Sequence, residues 1–242
     1  MKLLFACLLS FSAFTAIAAD LRMLTDNHPP LHFQQGGELV GFGVDVVHAL
    51  AERTGDHVQM EQPPLLRALR AASTEPNTAV FTVLRTAERE PHYQWVGPLM
   101  EVETAMYARS DKVRPIRSLQ EASIVGQIVL PRKWLAYGYL KEHGFSNLYG
   151  VETPEQMMKL LRLERADLVV ADTFSIATLS HDAGLTPNEL QYQFSFMRHG
   201  AYIAFSPQSD AHLVARWQKA FDDMNSDGSL QQLKQRWLID HE

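Results

Sequence analysis

The sequence predicts an α/β protein made of two consecutive units, in each of which helices flank a mostly parallel sheet. The first observation is an alternation of strand and helix patterns from residue 21 to residue 84. The second is that this alternation begins again at residue 118 and continues to residue 207. Elements in this order pack as a parallel sheet covered by helices. With 242 residues, 46% of them hydrophobic, the chain is long enough to bury a core in each unit.

The first residues are typical of a secretory signal rather than of the fold. Lys2 supplies a positive start, and residues 3–17 form an almost unbroken apolar run that ends in small residues. This pattern predicts a signal peptide over residues 1–19, cleaved after Ala18 or Ala19. The run is shorter than the roughly 20 residues that a membrane-spanning helix needs. We therefore expect an exported chain.

Composition and motifs argue against several classes of function. The formal net charge of −6 at pH 7 disfavours nucleic acid and anionic membranes as partners. The single cysteine, Cys7, lies inside the predicted signal, so the exported chain has no disulfide. The ten histidines show no metal-ligand spacing, and no nucleophile or phosphate-loop motif occurs. We expect no metal, no cofactor and no catalytic residue.

The first unit is predicted from hydrophobic periodicity and from the glycines and prolines that interrupt it. Alternating or continuous apolar runs indicate strands, and apolar residues at helical spacing indicate helices ended by Gly55 or opened by prolines. The predicted strands span residues 21–25, 57–62 and 77–84, the helices span 44–55 and 64–72, and a hairpin around Gly36-Gly37 spans 31–42.

The second unit follows an extended segment at residues 104–110. Its clearest helix start is Thr153 as cap with Pro154 in the first helical position. The predicted helices span 118–122, 132–144, 153–166 and 173–184, the strands span 123–130, 148–151, 167–172 and 199–207, and two amphipathic helices at 210–228 and 229–237 end the chain.

Ligands of such sheets bind beyond the carboxyl ends of the strands, often between domains. The segments that directly follow predicted strands are therefore the candidates for a binding site. They are Asp26 to His28, Thr82 to Arg89, the residues after Leu130, and Asp172.

Several stretches in this order resemble a known family. They are TDNHPPLHF, GELVGFGVDVVHALAERTG, RTAERE with WVGPL, SLQEASIVG, EQMMKLLRLERADLVVAD and MNSDGSLQQLKQRW. Together they make the chain similar to family 3 of the periplasmic solute-binding proteins, which serve polar amino-acid ABC transporters. The similarity covers essentially the whole chain after the signal.

The resemblance implies a two-lobed, type II periplasmic-binding-protein fold with two hinge crossings. Lobe 1 would comprise residues 20–107 and 200–242, and lobe 2 residues 108–199. The crossings would fall near Ala108-Arg109 and near His199-Gly200. The implied protein is a periplasmic monomer that closes on a small zwitterionic solute and presents it to the permease of an ABC transporter.

Arg89 ends the pattern T-x-E-R at residues 86–89, and the resemblance implies that it holds the carboxylate of the ligand. A guanidinium presents paired donors to a planar carboxylate, which suits this role. The alternative is a surface arginine paired with Glu88 or Glu90. Arg85 is a second candidate, as a residue at the rim of the site or a structural one.

Asp172 follows a buried strand, and the resemblance implies that it holds the ammonium group of the ligand. The alternative is that it caps the following helix, and both roles are compatible. Asp26 and His28 lie in the first loop, where the resemblance places cleft residues and where ordinary turn chemistry is the alternative. Thr82 and Phe81 end the third strand and are candidates for contact with the ligand carboxylate, or else buried strand residues.

Lobe 2 departs from the family pattern after its first strand. Where the family commonly has a glycine with Thr or Ser, residues 129–137 read VLPRKWLAY. Trp134 and its charged neighbours favour either a ligand with an extra acidic group or one whose apolar side chain stacks on the indole. The alternatives to a transport component are a dehydratase-like enzyme on the same scaffold and a periplasmic sensor partner.

Overall fold

The computed structural model describes residues 19–111 and 115–238, so the predicted signal peptide lies outside the described residues except for Ala19. The first unit has the predicted order of elements, including the hairpin. Its elements are β1 (Asp20–Leu24), β2 (Phe33–Gln35), β3 (Glu38–Val40), α1 (Phe42–Thr54), β4 (His57–Glu61), α2 (Leu65–Thr74) and β5 (Thr78–Leu84).

A 16-residue strand, β6 (Gln94–Arg109), leads into the second unit, and a strand of equal length, β10 (Leu190–Phe205), leads out of it. Between them lie α3 (Leu119–Ala122), β7 (Ile128–Pro131), α4 (Leu135–Glu142), β8 (Leu148–Val151), α5 (Pro154–Arg162), β9 (Leu168–Asp172) and α6 (Ser175–Asp182). The chain continues with α7 (Ala211–Ser226) and α8 (Ser229–Leu238).

Three predicted strands have different bounds in the structure. β6 and β10 begin well before the predicted residues 104 and 199. The strand predicted over 123–130 begins only at Ile128, and Ile124 is 84% exposed. The backbone before β7 turns against the carboxylate of Asp167, which accepts from the amide of Gln127 at 2.7 Å. A Cβ on Gly126 would lie 2.0 Å from that carboxylate, so this close approach requires glycine.

Eight of these strands form one sheet in the order β4-β1-β5-β10-β6-β9-β7-β8, and β2 and β3 pair separately as an antiparallel hairpin. β1 pairs in parallel with β4 and β5, and β7 pairs in parallel with β8 and β9. β10 runs antiparallel to both β5 and β6 in the middle of the ladder. Each end of the sheet is therefore parallel and flanked by helices, which confirms the predicted fold class.

Two large hydrophobic cores lie on either side of the central β6–β10 pair. The first core contains Phe42, Phe81 and Trp217, and the second contains Met106 and Met157. We call the elements around the first core lobe 1 and those around the second core lobe 2. Along β6 the change of core falls between Val102 and Ala105, and along β10 between Met197 and Ala201. Two long strands thus cross between the lobes.

The change of core on β6 falls a few residues before the predicted crossing at Ala108-Arg109. On β10 it spans the predicted crossing at His199-Gly200. The lobe bounds 20–107 with 200–242 and 108–199 stay a prediction. Within the described ranges, no helix has both the length and the apolar character needed to cross a bilayer.

A buried acid joins α7 to the start of lobe 1. The side chain of Asp56 is fully buried and accepts hydrogen bonds from Arg216 at 2.7 Å and from the indole N–H of Trp217 at 2.8 Å. Burial alone would raise the pKa of Asp56. The lowering effect of these and other hydrogen bonds is larger, so the pKa lies below its ordinary value. Helix α7 is therefore held in lobe 1 by charge as well as by packing.

We expect Asp56→Ala to lower the free energy of unfolding by roughly 2–4 kcal/mol, because it leaves buried donors without an acceptor. Urea denaturation followed by circular dichroism measures the change. The control is Asp223→Ala on the exposed face of α7, whose pair with Lys219 is exposed and should change stability by less than about 0.5 kcal/mol. Equal effects of the two substitutions would contradict the structural role of Asp56.

Candidate functional site

A cavity of about 110 Å³ lies between the lobes. Lobe 1 contributes the loop after β1 and the end of β5, and lobe 2 contributes the end of β9 and the start of α4. The polar side chains in its wall are Asp26, His28, His32, Thr82, Arg89, Thr104 and Asp172. The apolar wall consists of Leu31, Leu65, Val83, Leu84, Val102, Trp134, Leu135 and Ala136.

Six of the eight residues predicted for the site line this cavity. They are Arg89, Asp172, Asp26, His28, Thr82 and Trp134. The other two do not. Phe81 is buried behind the wall, with its ring edge-on to His32 at 5.9 Å. Arg85 instead makes two hydrogen bonds of 2.6 Å to Glu90 and stacks on Trp95 and Tyr202.

Arg89 is brought to the cavity by the turn that follows β5. Its amide donates to the carbonyl oxygen of Thr86 at 3.0 Å, and its Nη1 donates to the carbonyl oxygen of Leu84 at 2.9 Å. Within the part of the chain that the structure describes, no carboxylate lies within 4 Å of its guanidinium. Glu90, one of the partners considered from the sequence, is bound by Arg85 instead. Burial lowers the pKa of Arg89, but an arginine remains protonated in proteins. The cavity thus contains a cation whose other guanidinium N–H groups are available to bind a ligand.

Asp172 caps the following helix, which is one of the two roles considered from the sequence, and its side chain also lines the cavity. Its Oδ1 accepts from the amides of Phe174 and Ser175 at 3.0 and 2.8 Å, at the start of α6. Its Oδ2 accepts from the hydroxyl of Ser175 at 2.7 Å and from Nε2 of His28 at 2.6 Å. The side chain is 6% exposed. Burial alone would raise the pKa of Asp172. The lowering effect of His28 and Ser175 is larger, so the pKa lies below its ordinary value.

His28 crosses from lobe 1 to reach Asp172. Its ring centroid lies 5.9 Å from those of both His32 and Trp134, so the imidazole is held between rings from the two lobes. Burial lowers the pKa of His28, but Asp172 raises it more, and the net pKa lies above 6.5. A hydrogen bond of 2.6 Å between Nε2 of His28 and Oδ2 of Asp172 therefore joins the lobes, and it is charge-assisted when the ring is protonated.

Sequence reasoning missed His32. Its side chain is 3% exposed, and its Nδ1 donates to the carbonyl oxygen of Asp26 at 2.7 Å. Burial lowers its pKa to about 4, so the ring is neutral at physiological pH. The one available signal is its position four residues after His28, across Pro29-Pro30, where the chain folds back to pair the two histidine backbones. Of the residues in the apolar wall, sequence reasoning singled out only Trp134.

Asp26 and Thr82 complete the polar wall in lobe 1. The backbone oxygen of Asp26 accepts from His32 and from Gln62, whereas its carboxylate lies 3.7 Å from Nδ1 of His32. Thr82 has a φ of 56°, which is strained for a β-branched residue. Its hydroxyl donates to the carbonyl oxygen of Phe81 at 2.7 Å. In the described ranges, no group of three or more metal-ligating side chains occurs.

A two-lobed fold with a solute-sized cavity at the lobe interface defines a class of binding proteins. Residues 21–240 match the model of the bacterial extracellular solute-binding proteins, family 3, and the chain belongs to this family. This confirms the resemblance found in the sequence.

Individual relatives are distant. The membrane-bound lytic murein transglycosylase F of Pseudomonas putida GB-1 is 24% identical, over 97% of this chain and 50% of the relative. The chain thus spans about half the length of that protein. The L-cystine-binding protein TcyA of Bacillus subtilis 168 is 19% identical, over 86% of this chain and 75% of TcyA.

A solved structure of a histidine kinase sensor domain with similarity to periplasmic binding proteins superimposes with a TM-score of 0.82. The two chains are 21% identical, and the match covers 91% of this chain and 96% of that one. This similarity shows that the two proteins share a fold.

The two cavity histidines should titrate on opposite sides of the ordinary histidine pKa. In an NMR titration we expect a pKa above 6.5 for His28 and a pKa of about 4 for His32. Asp172→Asn should bring the pKa of His28 below 6.5, because burial then acts without the opposing carboxylate. Asp182→Asn, an exposed acid on α6, should leave it unchanged. A His28 pKa that does not respond to Asp172→Asn would contradict the ion pair.

The sign of the stability change follows from these shifts. Because the pKa of His28 is raised in the folded state, its contribution is present below about pH 6.5 and is lost as pH rises through the folded pKa. Because the pKa of Asp172 is lowered, its contribution is present above its unfolded pKa and is lost as pH falls through the folded pKa. The pair therefore stabilises the protein most between these limits.

Proposed function

We propose that the protein captures a small solute bearing a carboxylate, an amino acid or a relative of one, between its two lobes in the periplasm. The monomeric closed form is then delivered to the permease of an ABC transporter. The observation that carries the proposal is the guanidinium of Arg89, which lines the cavity and has no carboxylate within 4 Å among the described residues. A guanidinium withdrawn from water binds a planar carboxylate through two parallel hydrogen bonds.

A zwitterion, which the resemblance implies, is one form that this carboxylate-bearing solute could take. Arg89 would hold its carboxylate, and an acid in the cavity would hold its ammonium group. Membership of a solute-binding family and a relative named for L-cystine binding support a small polar solute. Micromolar affinity corresponds to about −8 kcal/mol, which is within reach of one buried ion pair with apolar contacts.

A second candidate function is catalysis in the same cavity. The observation that favours it is a histidine paired with a carboxylate at the cavity wall, an arrangement that can serve acid–base chemistry. One relative is also named as an enzyme, although the chain covers only half of it. A sensor partner differs from the main proposal only in which protein receives the closed form. Conversion of a bound compound, followed by mass spectrometry, distinguishes catalysis from capture.

Arg89→Ala should weaken binding by about 30-fold or more, since truncating one member of a buried charge pair costs about 2–5 kcal/mol. A thermal-shift screen of amino acids and small carboxylates identifies a ligand, which at 100 times its Kd should add about 2.7 kcal/mol to the stability. Calorimetry then measures the Kd of each variant. Arg89→Lys should recover only part of the affinity, because an ammonium lacks the planar fork.

The matched control is Arg85→Ala. This arginine lies on the same turn, but Glu90 already neutralises it outside the cavity. The control should bind as tightly as the wild type. Unchanged affinity in Arg89→Ala, or an equal loss in both variants, would contradict the role of Arg89.

A further inference from the structure

The acid expected to hold the ammonium group of the ligand is already fully bonded. An ionised carboxylate offers about four acceptor sites on its two oxygens. In Asp172 these sites are taken by the amides of Phe174 and Ser175, the hydroxyl of Ser175 and Nε2 of His28. Three of these donors belong to the start of α6 and cap that helix. The fourth, His28, comes from the opposite lobe.

We propose that His28 takes the place of a ligand ammonium group on Asp172, so that the cleft selects carboxylates without an α-amino group. The inference rests on the proposed function and narrows its ligand class to small carboxylates with an apolar body. His28 is thus a specificity-determining residue of the cleft.

The position of His28 is set by its loop. The amide of His28 donates to the carbonyl oxygen of His32 at 2.8 Å, and the amides of Leu31 and His32 donate back to the carbonyl oxygen of His28. The ring is held between His32 and Trp134. An incoming ammonium group would therefore have to break the ion pair with Asp172 and also displace a ring that has packing partners.

The rest of the cavity fits a carboxylate with an apolar body. Arg89 provides the cation, and its neighbours in the wall are mostly aliphatic. Leu31, Leu65, Leu84, Val102 and Leu135 are among the aliphatic side chains of this wall. A ligand amino group placed among them would lose its hydration without gaining a partner, which is unfavourable.

Asp26 is the other acid that the described residues contribute to the cavity wall. Its carboxylate lies 3.7 Å from the ring nitrogen of His32, which donates instead to the backbone oxygen of Asp26. A ligand cation could therefore be held by Asp26 in place of Asp172. Asp26 and Lys133 also act on His28 with opposite charges. The experiment must therefore distinguish the effect of Asp26 on ligand selection from the effect of His28.

The test compares matched pairs of carboxylates that differ only in the α-amino group. The pairs are butanoate with 2-aminobutanoate, 4-methylpentanoate with leucine, and 3-phenylpropanoate with phenylalanine. Calorimetry at mildly acidic pH, where His28 is protonated, gives the ratio of Kd values within each pair. We expect the wild type to bind the deaminated member of the best-binding pair at least about tenfold more tightly.

His28→Phe keeps a ring but removes the donor to Asp172, and it should move the ratio at least about tenfold toward the amino acid. His48→Phe, the same change at an exposed position on α1, should leave the ratio unchanged. A smaller preference in the wild type, or an equal ratio in His28→Phe and His48→Phe, overturns the inference. The wild-type ratio alone decides the outcome if His28→Phe does not fold.

Two further variants separate the possible failures. If the wild type prefers the amino acid and Asp26→Asn abolishes that preference, the cation site is Asp26 and the inference about His28 is wrong. If Arg89→Ala weakens both members of a pair while the amino acid is preferred, solute capture stands and only the inference fails. If none of the six compounds binds but another amino acid from the thermal-shift screen does, solute capture stands and the inference is overturned. If no carboxylate binds, both are overturned.

Discussion

The cleft is organised around the carboxylate of Asp172. Because water is largely excluded from this carboxylate, its hydrogen-bond donors must come from the protein. A buried charge is tolerated only when it is paired and hydrogen-bonded. The start of α6 supplies three donors from lobe 2, and His28 supplies the fourth from lobe 1. The same group that caps a helix therefore also joins the lobes. Arg89 then remains as a cation with no carboxylate within 4 Å in the described part of the chain, facing a largely apolar wall.

Much of the fold could be predicted because it depends on local patterns. The residues that follow β1, β5 and β9 were expected at one edge, and Asp26, Arg89 and Asp172 do line one cavity. The full length of β6 could not be predicted, because Gly97-Pro98 breaks the strand pattern. The structure accommodates this dipeptide where β10 shifts register between Ala201 and Ile203. That compensation comes from a strand about a hundred residues away.

The partner of His28 could not be predicted from sequence at all. His28 and Asp172 are 144 positions apart and belong to different lobes, so no spacing rule connects them. The family resemblance suggested that Asp172 binds the ammonium group of a ligand. It did not indicate that a side chain of the protein already donates a hydrogen bond to this carboxylate. The presence of His32 in the cavity wall could not be predicted, because a buried neutral histidine has no sequence signature. Arg85 was considered because of its type and position, although Glu90, five residues later, neutralises it outside the cavity.

The segment after β7 explains how this cleft differs from the family pattern. Arg132 turns outward to Glu152, whereas Trp134 lies beside His28 in the wall. The most direct measurement is a crystal structure of the protein with a bound small carboxylate. We expect the ligand carboxylate about 3 Å from the guanidinium nitrogens of Arg89, with Nε2 of His28 still on Oδ2 of Asp172. A ligand amino group bonded to Asp172, with His28 displaced, would contradict this description of the cleft.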